Sequence, residues 1–387
     1  ERVKKVASAF DVLAVTSESR NLPPEDAGSK VTELAETILP ISRPDIVYKK
    51  VDSTLRGNVR REISALREAP AVVAPGYPGN RRVVCGGYLL ADGQPLSRTY
   101  AANDVLAPVK SSKIADFLSD KPDEVGHLEF SSFESGKTAV RARLTEILAL
   151  GFSNVVVDSL GQADLDMLTE VLLEASRPFL WVGSAGLALS LSRALSSGSG
   201  SRDCSRSEAR KMTGERSTAE GERAQRPAHL FIMGSMNPVS MTQVEEVERQ
   251  GAAQVLYVSE LNGASEDVWM TEAPDDTVLS SQRMKSEGPV SEAAEKAKVM
   301  LSLAAYGAVG RGGYSTLVLS GGDVAFAVLR GLEATGLEVL EEVLPGIPYG
   351  RILDGPNRGL GVVTKAGGFG SRDCLISIGQ WLHRRGL

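Results

Sequence analysis

One short run of this chain concentrates side chains that can bind a small polar molecule. Residues 48–58 read Tyr-Lys-Lys-Val-Asp-Ser-Thr-Leu-Arg-Gly-Asn and lie between an apolar run and a stretch with helical spacing. The guanidinium of Arg56 and the ammonium of Lys50 suit a carboxylate or a phosphate. The helix that follows has free N–H groups at its start, which also attract anions. The run therefore predicts a ligand site, and a polar turn with a local salt bridge is the alternative.

The second half of the chain repeats a different pattern three times. In each copy an apolar strand ends in small residues and leads into a helix, with turns at 234–235, 320–323 and 365–370. Glycine in such a turn lets backbone N–H groups approach an anion, because no Cβ stands in the way. In an open α/β sheet these turns gather at the carboxyl ends of the strands. Three of them predict a phosphate-bearing ligand, although a tight turn also needs glycine for backbone reasons alone.

The spacing of these glycines argues against two common nucleotide motifs. No turn matches Gly-x-x-x-x-Gly-Lys-Ser/Thr, and none matches Gly-x-Gly-x-x-Gly followed by the acidic residue that binds a ribose. The first absence excludes a P-loop protein, and the second disfavours a nicotinamide cofactor. Lys365 could bring an ammonium to the phosphates, or it could be a solvated lysine at a strand end. Ser184, in a fourth turn of this kind, is not expected to be a nucleophile, because no histidine flanks it.

The elements that must position these groups alternate between strands and helices. This order predicts an α/β fold with a mostly parallel sheet and helices on both of its faces. The predicted strands are Asp11–Val15, Ile46–Val51, Ala71–Ala74, Val155–Val157, Phe179–Val182, His229–Met233, Thr316–Leu319 and Leu360–Val363. The predicted helices of the first half are Pro24–Leu39, Val59–Arg67, Ala139–Leu150, Asp164–Ala175 and Ala185–Leu195.

A change of composition divides the chain. Residues 197–226 are rich in Ser, Gly, Arg and Glu, and such a stretch cannot bury enough apolar surface to offset its ordering entropy. We therefore predict a first domain over residues 1–196, a flexible linker over 197–226 and a second domain over 227–387. A second polar stretch, Asn262–Gly288, is predicted to be a long surface excursion. The opening Glu-Arg-Val-Lys-Lys resembles the end of a helix, so the first domain is expected to lack its first strand.

Composition narrows the class of protein. The 387 residues carry a net charge of −6 with a pI near 5.4. The sequence lacks the basic patch that would indicate a nucleic-acid partner. No apolar run reaches the length of roughly 18 residues that a membrane span needs. Three widely spaced cysteines fit a reducing compartment, which predicts a cytoplasmic protein. The three histidines, His127, His229 and His383, have no partner at ligand spacing, so we expect surface or packing roles and no metal cluster.

Together these motifs resemble the four-carbon acid sugar kinase family over nearly the whole chain. Lys49–Asn58 is similar to the family's Lys-Lys-x-Asp-Ser-Thr-Leu-Arg-Gly-Asn signature, and Thr16–Arg20 with Pro23-Pro24 resembles the segment before it. Val182–Leu187 is similar to the motif that closes the first domain. Three segments resemble the family's three nucleotide-side motifs, in the family's order. They are Gly234-Ser235 with Gln243, Ser320–Asp323 and Thr364–Gly370.

The resemblance implies two α/β domains with the ligand cleft between them. The first would bind a four-carbon sugar acid, and the second would bind ATP with Mg²⁺. The implied reaction transfers the γ-phosphoryl group of ATP to the terminal hydroxyl of threonate, erythronate or a 3-oxo-tetronate. The implied partners are therefore small molecules, with no nucleic acid and no membrane, and a homodimer remains open.

The resemblance also suggests a role for each site residue. Lys50, Arg56 and the N–H groups near Gly57 would bind the substrate carboxylate, and Arg82 matches the arginine of a family Gly-Arg pair. Asp52 and Ser53 would hold hydroxyl groups, and Asp52 is the candidate that orients the attacking hydroxyl or accepts its proton. Asp323 could bind Mg²⁺ or cap a helix. The nucleotide phosphates would be bound by Gly234, Ser235, Ser320, Gly321, Gly322, Lys365, Gly367, Gly368 and Gly370.

Four departures from the family pattern stand out. Arg81 replaces the glycine of the Gly-Arg pair, and Val105 replaces the proline of an Asp-Pro pair. The Asp-Asp-x-Thr-Gly-Ala motif expected near the N-terminus is absent, and Val324 replaces a threonine or serine. The last two changes are also compatible with a relative that binds a sugar acid or a nucleotide without turnover. A nicotinamide-dependent oxidoreductase shares the architecture but is disfavoured by the missing dinucleotide motif.

Overall fold

The structure is a computed structural model that describes residues 2–66, 68–103, 107–198, 227–234, 237–258, 275–282 and 290–387. These residues form two compact units, one within Glu1–Gly214 and the other within Glu215–Leu387. Both units are α/β, as predicted. Of the predicted linker, residues 199–226 lie outside the described residues, and residues 197 and 198 end a helix.

The first unit is built on a five-stranded parallel sheet in the order β1-β8-β2-β7-β6, and a separate antiparallel sheet has the order β3-β4-β5. The strands are β1 (Val47–Lys50), β2 (Ala71–Ala74), β3 (Arg82–Cys85), β4 (Tyr88–Ala91), β5 (Gln94–Pro95), β6 (Gly126–Leu128), β7 (Asn154–Val157) and β8 (Leu180–Gly183). The α-helices are α1 (Arg2–Ala7), α2 (Pro24–Ser42), α3 (Val59–Ala65), α4 (Phe130–Glu134), α5 (Lys137–Ala149), α6 (Gln162–Leu173) and α7 (Ala185–Gly198). Short 3₁₀ helices lie at Pro78–Asn80, Leu96–Arg98, Tyr100–Asn103, Ile114–Phe117 and Pro122–Glu124.

Both faces of the parallel sheet are buried. Successive side chains of β2 alternate between two cores, with Val73 in one core and Val72 in the other. Residues of α5, α6 and α7 fill the core on the Val72 side. The core on the Val73 side contains residues of α3 together with residues of β3 and β4, which the sequence did not predict. A small antiparallel sheet thus contributes to a face for which we expected helices alone.

The first predicted strand, Asp11–Val15, is wrong. These residues form no strand, and the side chains of Val12 and Val15 are 79% and 48% exposed. An apolar run becomes a strand only where a neighbouring strand can satisfy its backbone groups. In the described part of the chain, β1 pairs only with β8, and residues 11–15 do not add to its open side.

The second unit is a seven-stranded sheet in the order β10-β11-β9-β12-β15-β14-β13. Five strands are parallel, and β13 and β14 add an antiparallel hairpin at one edge. The strands are β9 (Ala228–Met233), β10 (Gln254–Tyr257), β11 (Thr277–Ser280), β12 (Tyr314–Ser320), β13 (Leu337–Leu344), β14 (Ile347–Ile352) and β15 (Gly361–Lys365). The α-helices are α8 (Pro238–Gln250), α9 (Val290–Arg311), α10 (Gly322–Gly331) and α11 (Cys374–Arg385).

The prediction that Asn262–Gly288 is a surface excursion is wrong for residues 277–280. Residues 277–280 form β11, which is fully buried between β9 and β10. Only four residues of this stretch have the composition of a strand, and polar residues flank them on both sides. A run this short is difficult to recognise as a strand from the sequence. Residues 262–274 and 283–288 lie outside the described residues.

No helix in the described ranges is long and apolar enough to cross a membrane.

Arg81 occupies a backbone conformation that favours glycine. It follows the 3₁₀ helix Pro78–Asn80 with φ +54° and ψ +35°, in the left-handed region. The resemblance noted in the sequence implies a glycine at this position, so its replacement by arginine has a local steric cost. The side chain pairs with Asp92 at 2.5 Å, but Arg81 is 79% exposed, and exposed ion pairs contribute little.

We expect Arg81→Gly to be more stable than Arg81→Ala by about 1 kcal/mol, because both variants lose the ion pair and only glycine removes the Cβ at positive φ. Chemical denaturation of the two variants measures this difference. Equal free energies of unfolding would show that the left-handed backbone carries no measurable strain.

Candidate functional site

The signature run forms a loop at the carboxyl end of β1. Val51 donates its N–H to Gly183 O at 2.9 Å, which extends the pairing with β8 by one residue before the loop begins. A turn follows, in which Leu55 N–H donates to Asp52 O at 2.9 Å. Leu55 has φ +52° and is 1% exposed, so its side chain anchors the loop in the core. The loop then enters α3 at Val59.

Asp52 is the centre of this loop. Its Oδ2 accepts hydrogen bonds from Arg56 Nε and from Thr54 Oγ1, each at 2.6 Å, and Arg20 Nη2 lies 3.9 Å away. Burial alone would raise the pKa of this carboxyl, but the hydrogen bonds and positive charges of Arg56, Thr54 and Arg20 outweigh it and lower the pKa. Asp52 is therefore an ionised carboxylate in a fixed position.

Lys50 lies in the same electrostatic environment. Its Nζ donates to Val51 O at 2.8 Å. Burial lowers the pKa of Lys50, and the attraction of Asp52 opposes this shift while Lys49 and Arg20 add to it. The loop therefore holds one carboxylate among several cations, and a bound anion would relieve the repulsion between those cations.

A second segment, residues 19–22, is tied to the loop by Asn58. The Asn58 Nδ2 donates to Ser19 O at 2.9 Å and to Leu22 O at 2.8 Å. Gly57 has φ +101°, and a Cβ there would lie 3.2 Å from Arg20 Cγ. This position needs glycine for its backbone angle and for the close approach of Arg20.

A buried ion pair lies beside the loop, and the sequence analysis did not predict it. Lys49 Nζ is 2.6 Å from Glu62 Oε2, and Ser19 Oγ donates to Glu62 Oε1 at 2.5 Å. Ser19 and Glu62 are 2% and 7% exposed. This network joins β1, α3 and the segment before α2, so it fixes the loop from below.

Beside the loop lies a cavity of about 220 Å³. This volume is several times the roughly 30 Å³ that one water molecule occupies in the liquid, so a small polar molecule can enter. Two arginines, Arg20 and Arg56, line it together with Gly57 and Asn58. Two guanidinium groups at one cavity favour an anionic ligand. Arg20 is a site residue for which the sequence analysis assigned no role.

Of the six predicted substrate residues, Arg56 and Gly57 line the cavity, whereas Lys50, Asp52, Ser53 and Arg82 are not among its lining residues. Ser53 lies half-buried in the loop. Arg82 is in β3, 8% exposed, and its Nη1 donates to Asn80 O at 2.5 Å and lies 3.5 Å from Asp92. Arg82 is not among the residues that line the cavity beside Arg56. Its role in substrate binding stays a prediction.

In the second unit, the three glycine turns lie at the carboxyl ends of three adjacent parallel strands. Ser320 at the end of β12 pairs with Met233 of β9 on one side and with Lys365 of β15 on the other. Gly321 then donates its N–H to Lys365 O at 2.9 Å. The sequence pattern therefore correctly placed Gly234, Ser320–Asp323 and Lys365 at one edge of this sheet.

Lys365 organises the last of these turns. It is 3% exposed, and its Nζ donates to the carbonyl oxygens of Ala366, Gly367 and Phe369 at 3.1 to 3.2 Å. Burial lowers the pKa of Lys365 to about 8. The alternative of a solvated strand-end lysine is therefore wrong.

Two side chains of α8 hold the same turn. Ser240 Oγ donates to Gly367 O at 2.7 Å. Gln243 is fully buried, and its Nε2 donates to the carbonyl oxygens of Phe369, Gly370 and Ser371 at 2.9 to 3.2 Å. With its carbonyl groups bonded in this way, the turn leaves the N–H groups of Gly367, Gly368 and Gly370 without a partner in the described residues.

The start of α10 adds further donors at this edge. Gly321 has φ +98°, and the first N–H groups of a helix have no intrahelical partner. Ser320 is fully buried, and its Oγ has no hydrogen-bond partner among the described residues. Asp323 lies exposed in the first turn of α10, and no side chain caps that helix. Ser235 lies outside the described residues.

The departure at Val324 has a packing explanation. Val324 is 6% exposed within the core of the second unit, and a Cβ on Gly234 would lie 2.2 Å from Val324 Cγ2. Gly234 is therefore required by its contact with Val324, whatever it contributes to a ligand.

Two family models match this chain, one in each half. Residues 2–191 match a family model described as a sugar-binding N-terminal domain, and residues 230–375 match one described as a nucleotide-binding C-terminal domain. A curated D-threonate kinase of Bordetella bronchiseptica is 32% identical over 385 residues, which cover 97% of this chain and 87% of that relative. The chain belongs to the four-carbon acid sugar kinase family. The resemblance seen in the sequence is confirmed.

Other members of the four-carbon acid sugar kinase family are similar over the same span. A D-erythronate kinase of Heliobacterium modesticaldum is 28% identical, with coverage of 96% of this chain and 87% of the relative. A 3-oxo-tetronate kinase of Methylobacterium radiotolerans is 27% identical, with coverage of 94% and 87%. The relatives thus include three named substrate classes.

Solved structures support the fold. A crystal structure of a Salmonella typhimurium LT2 protein superposes with a TM-score of 0.72 at 20% identity, covering 93% of this chain and 86% of the other. A Haemophilus influenzae protein gives 0.66 at 19% identity, covering 94% and 88%.

We expect nucleotide affinity to depend on the charge of Lys365. Bound phosphates raise the pKa of a nearby ammonium, so affinity should be complete below pH 8 and weaken as the pH rises above it. Between pH 7 and 9.5 the Kd should rise by about 10-fold, since one unit of pKa is worth about 1.4 kcal/mol. Calorimetric titration across this range measures the effect.

The control is Lys365→Met, which should bind more weakly and show no pH dependence. Cys374 is the other titratable neighbour, but burial raises its pKa, so its thiol stays neutral over most of this range. An equal loss of affinity with pH in both proteins would assign the effect to a group other than Lys365.

Proposed function

We propose that this protein is an ATP-dependent kinase that phosphorylates the terminal hydroxyl of a four-carbon sugar acid: threonate, erythronate or a 3-oxo-tetronate. The observation that carries the proposal is the ionised Asp52, held by Arg56 and Thr54 in the loop beside a cavity that Arg20 and Arg56 line. Family membership supplies the reaction class, and this loop supplies groups that suit the substrate.

The cavity suits a small hydroxy acid for electrostatic reasons. Arg56 and Arg20 can pair with the carboxylate, and Lys50 adds a third positive charge nearby. Asp52 accepts hydrogen bonds only, so it suits a substrate hydroxyl as donor. One pole of the ligand would therefore be anionic, and another would donate hydrogen bonds.

The pKa of Asp52 favours a positioning role. A general base works best when its pKa lies near the working pH, whereas the pKa of Asp52 is below its ordinary value. Phosphoryl transfer through a loose transition state needs alignment of the hydroxyl more than its early deprotonation. We therefore assign to Asp52 the orientation of the attacking hydroxyl, with proton acceptance following transfer.

The second unit suits the phosphates of ATP. Several unpaired donors lie at the carboxyl ends of β9, β12 and β15 in the described residues. They are the N–H groups of Gly367, Gly368 and Gly370, the first N–H groups of α10 and the buried hydroxyl of Ser320. Lys365 adds positive charge beneath the turn. Asp323 is exposed at the same edge, and its carboxylate suits Mg²⁺, which would neutralise charge on the phosphates. A cytoplasmic location and a homodimer stay predictions.

A coupled assay of ADP formation tests the function directly. With ATP and Mg²⁺, at least one acid among the threonates, erythronates and 3-oxo-tetronates should support turnover, and Asp52→Asn should lower kcat by about 100-fold. If no acid supports turnover while ATP still binds, the chain is a binding protein of the kinase family. An unchanged kcat in Asp52→Asn would remove Asp52 from the mechanism.

Arg56 should act on the sugar acid and not on the nucleotide. We expect Arg56→Ala to raise the KM for the acid by about 10- to 100-fold, because a hydrogen bond to a charged group contributes roughly 1.5–3 kcal/mol. Steady-state kinetics give the KM, and calorimetry should give an unchanged ATP affinity.

Arg56→Lys is the matched variant for this test. It keeps the charge but loses the Nε donor to Asp52 and the forked geometry that suits a carboxylate. Its KM for the acid should lie between those of the native protein and Arg56→Ala. Native kinetics in both variants would contradict the assignment of Arg56 to the substrate.

A further inference from the structure

Two histidines and one aspartate meet at the other edge of the second sheet. His229 lies at the start of β9, Asp276 directly precedes β11, and His383 lies in the last turn of α11. The glycine turns follow the far ends of the same parallel strands, and the five residue-to-residue steps from His229 to Gly234 span roughly 16 Å. This cluster, which we call the His-Asp-His cluster, is therefore separate from the nucleotide-side turns.

The structure corrects the expectation that these histidines have no ligand partners. His383 Nε2 lies 2.8 Å from Asp276 Oδ2, and the ring centroids of His229 and His383 are 4.6 Å apart. One nitrogen of each histidine and one oxygen of Asp276 all lie within 4.8 Å of one another. The sequence could not predict this, since it depends on β9 and β11 being neighbours in the sheet.

The ring of His229 has an unused nitrogen that is fully buried. His229 is 0% exposed, and its Nε2 has no hydrogen-bond partner among the described residues. A buried polar atom without a partner carries a substantial free-energy cost, so it calls for an explanation. A ligand that accepts its lone pair would supply one.

The hydrogen bonds around His229 indicate which nitrogen carries the proton. Ser315 Oγ donates to Ala228 O at 3.2 Å and lies 3.3 Å from His229 Nδ1. Since the hydroxyl has only one proton, Nδ1–H acts as the donor to Ser315, and Nε2 keeps its lone pair.

Asp276 is held in place independently of any ligand. Its Oδ1 accepts the backbone N–H of His229 at 2.9 Å, while its Oδ2 faces His383. Supporting hydrogen bonds of this kind orient the ligands in protein metal sites. Asp276 thus offers one oxygen to the cluster while the other is fixed to the backbone.

Two of the three cluster residues are accessible from outside. Asp276 and His383 line a cavity of about 190 Å³ together with Gln380 and Gly379, whereas the buried His229 lies behind them and is not a lining residue. The His383 side chain is 39% exposed, so it can rotate slightly without disturbing the core. A metal ion and a water molecule can therefore reach the His-Asp-His cluster through this cavity.

We propose that His229 Nε2, His383 Nε2 and an oxygen of Asp276 bind a divalent transition metal ion of the Zn²⁺ class, with a cavity water as the fourth ligand. Two imidazoles, one carboxylate and one open position are a known zinc ligand set. The ion would replace the hydrogen between His383 and Asp276, and the proton displaced would move to His383 Nδ1 or to solvent. Nitrogen ligands disfavour Mg²⁺, so this site differs in metal from the one expected at Asp323.

Metal titration of the full chain without an affinity tag tests this proposal. After treatment with a chelator and dialysis, the native protein should bind one Zn²⁺ or Co²⁺ per chain, and excess Mg²⁺ should not displace it. His383→Gln keeps a hydrogen-bond donor for Asp276 but removes the imidazole. We expect it to weaken Zn²⁺ binding by at least about 10-fold, since even the loss of a supporting residue costs 10- to 100-fold.

The third histidine provides a matched control. His127 also pairs with an aspartate, Asp158, at 2.9 Å, but it lies in the first unit with no second histidine beside it. His127→Gln should bind Zn²⁺ like the native protein. Circular dichroism of each variant confirms folding, and Asp276→Asn serves as a second variant of the cluster.

Nitrogen-15 labelling of the three histidines gives an independent measurement. Added Zn²⁺ should shift the Nε2 resonances of His229 and His383 and leave those of His127 unchanged. Equal Zn²⁺ affinity in the native protein and in folded His383→Gln would overturn the proposal. Unchanged His229 resonances at saturating Zn²⁺ would do the same, and the cluster would then be a hydrogen-bonded support for the start of β11.

Discussion

The hydrogen-bonded ion pair between Asp52 and Arg56 is the contact on which the loop after β1 depends. The two residues are separated by one turn of backbone that places Leu55 at φ +52°, a conformation that costs roughly 1–3 kcal/mol outside glycine. Leu55 is almost fully buried, and burying a leucine side chain contributes roughly 1.5–3 kcal/mol. The core contact thus offsets the strain, and the ion pair selects this one loop conformation from those the core alone would allow.

A buried cation has the equivalent position in the second unit. Lys365 bonds three carbonyl oxygens of its own turn. Gln243, on the neighbouring helix α8, shares one of them, that of Phe369, and bonds two more. These bonds draw the carbonyl dipoles inward, so that glycine N–H groups are left for an anion. In this unit the groups that attract an anion are mainly backbone N–H dipoles, whereas in the first unit they are charged side chains at a cavity. The difference fits a phosphate ligand in one unit and a carboxylate ligand in the other.

Local patterns were sufficient where a short stretch of chain determines its own structure. The buried strand Ala71–Ala74 and the turn at Ser320–Asp323 were predicted because an apolar run and a glycine turn carry their own signals. Contacts that depend on which strands are neighbours could not be predicted. The strand Thr277–Ser280 is too short for a clear pattern, and its position beside β9 brings Asp276 to His229 and His383. For the same reason, the ion pair of Lys49 with Glu62 was visible only in the folded chain.

Glycine is required in these motifs for two separate physical reasons, the backbone angle and close packing. A glycine explained by either reason is not evidence for a ligand. Gly57, Gly321 and Gly370 have positive φ, so the backbone requires glycine there with or without a bound anion. Gly234 is required by Val324, and Gly370 also lies against Cys374, where a Cβ would be 2.3 Å from Sγ. In contrast, Gly322 has open space around its Cα and an ordinary φ, so neither packing nor backbone angle explains it. If the second unit binds phosphates as proposed, access of the ligand to the backbone at the start of α10 would account for this glycine.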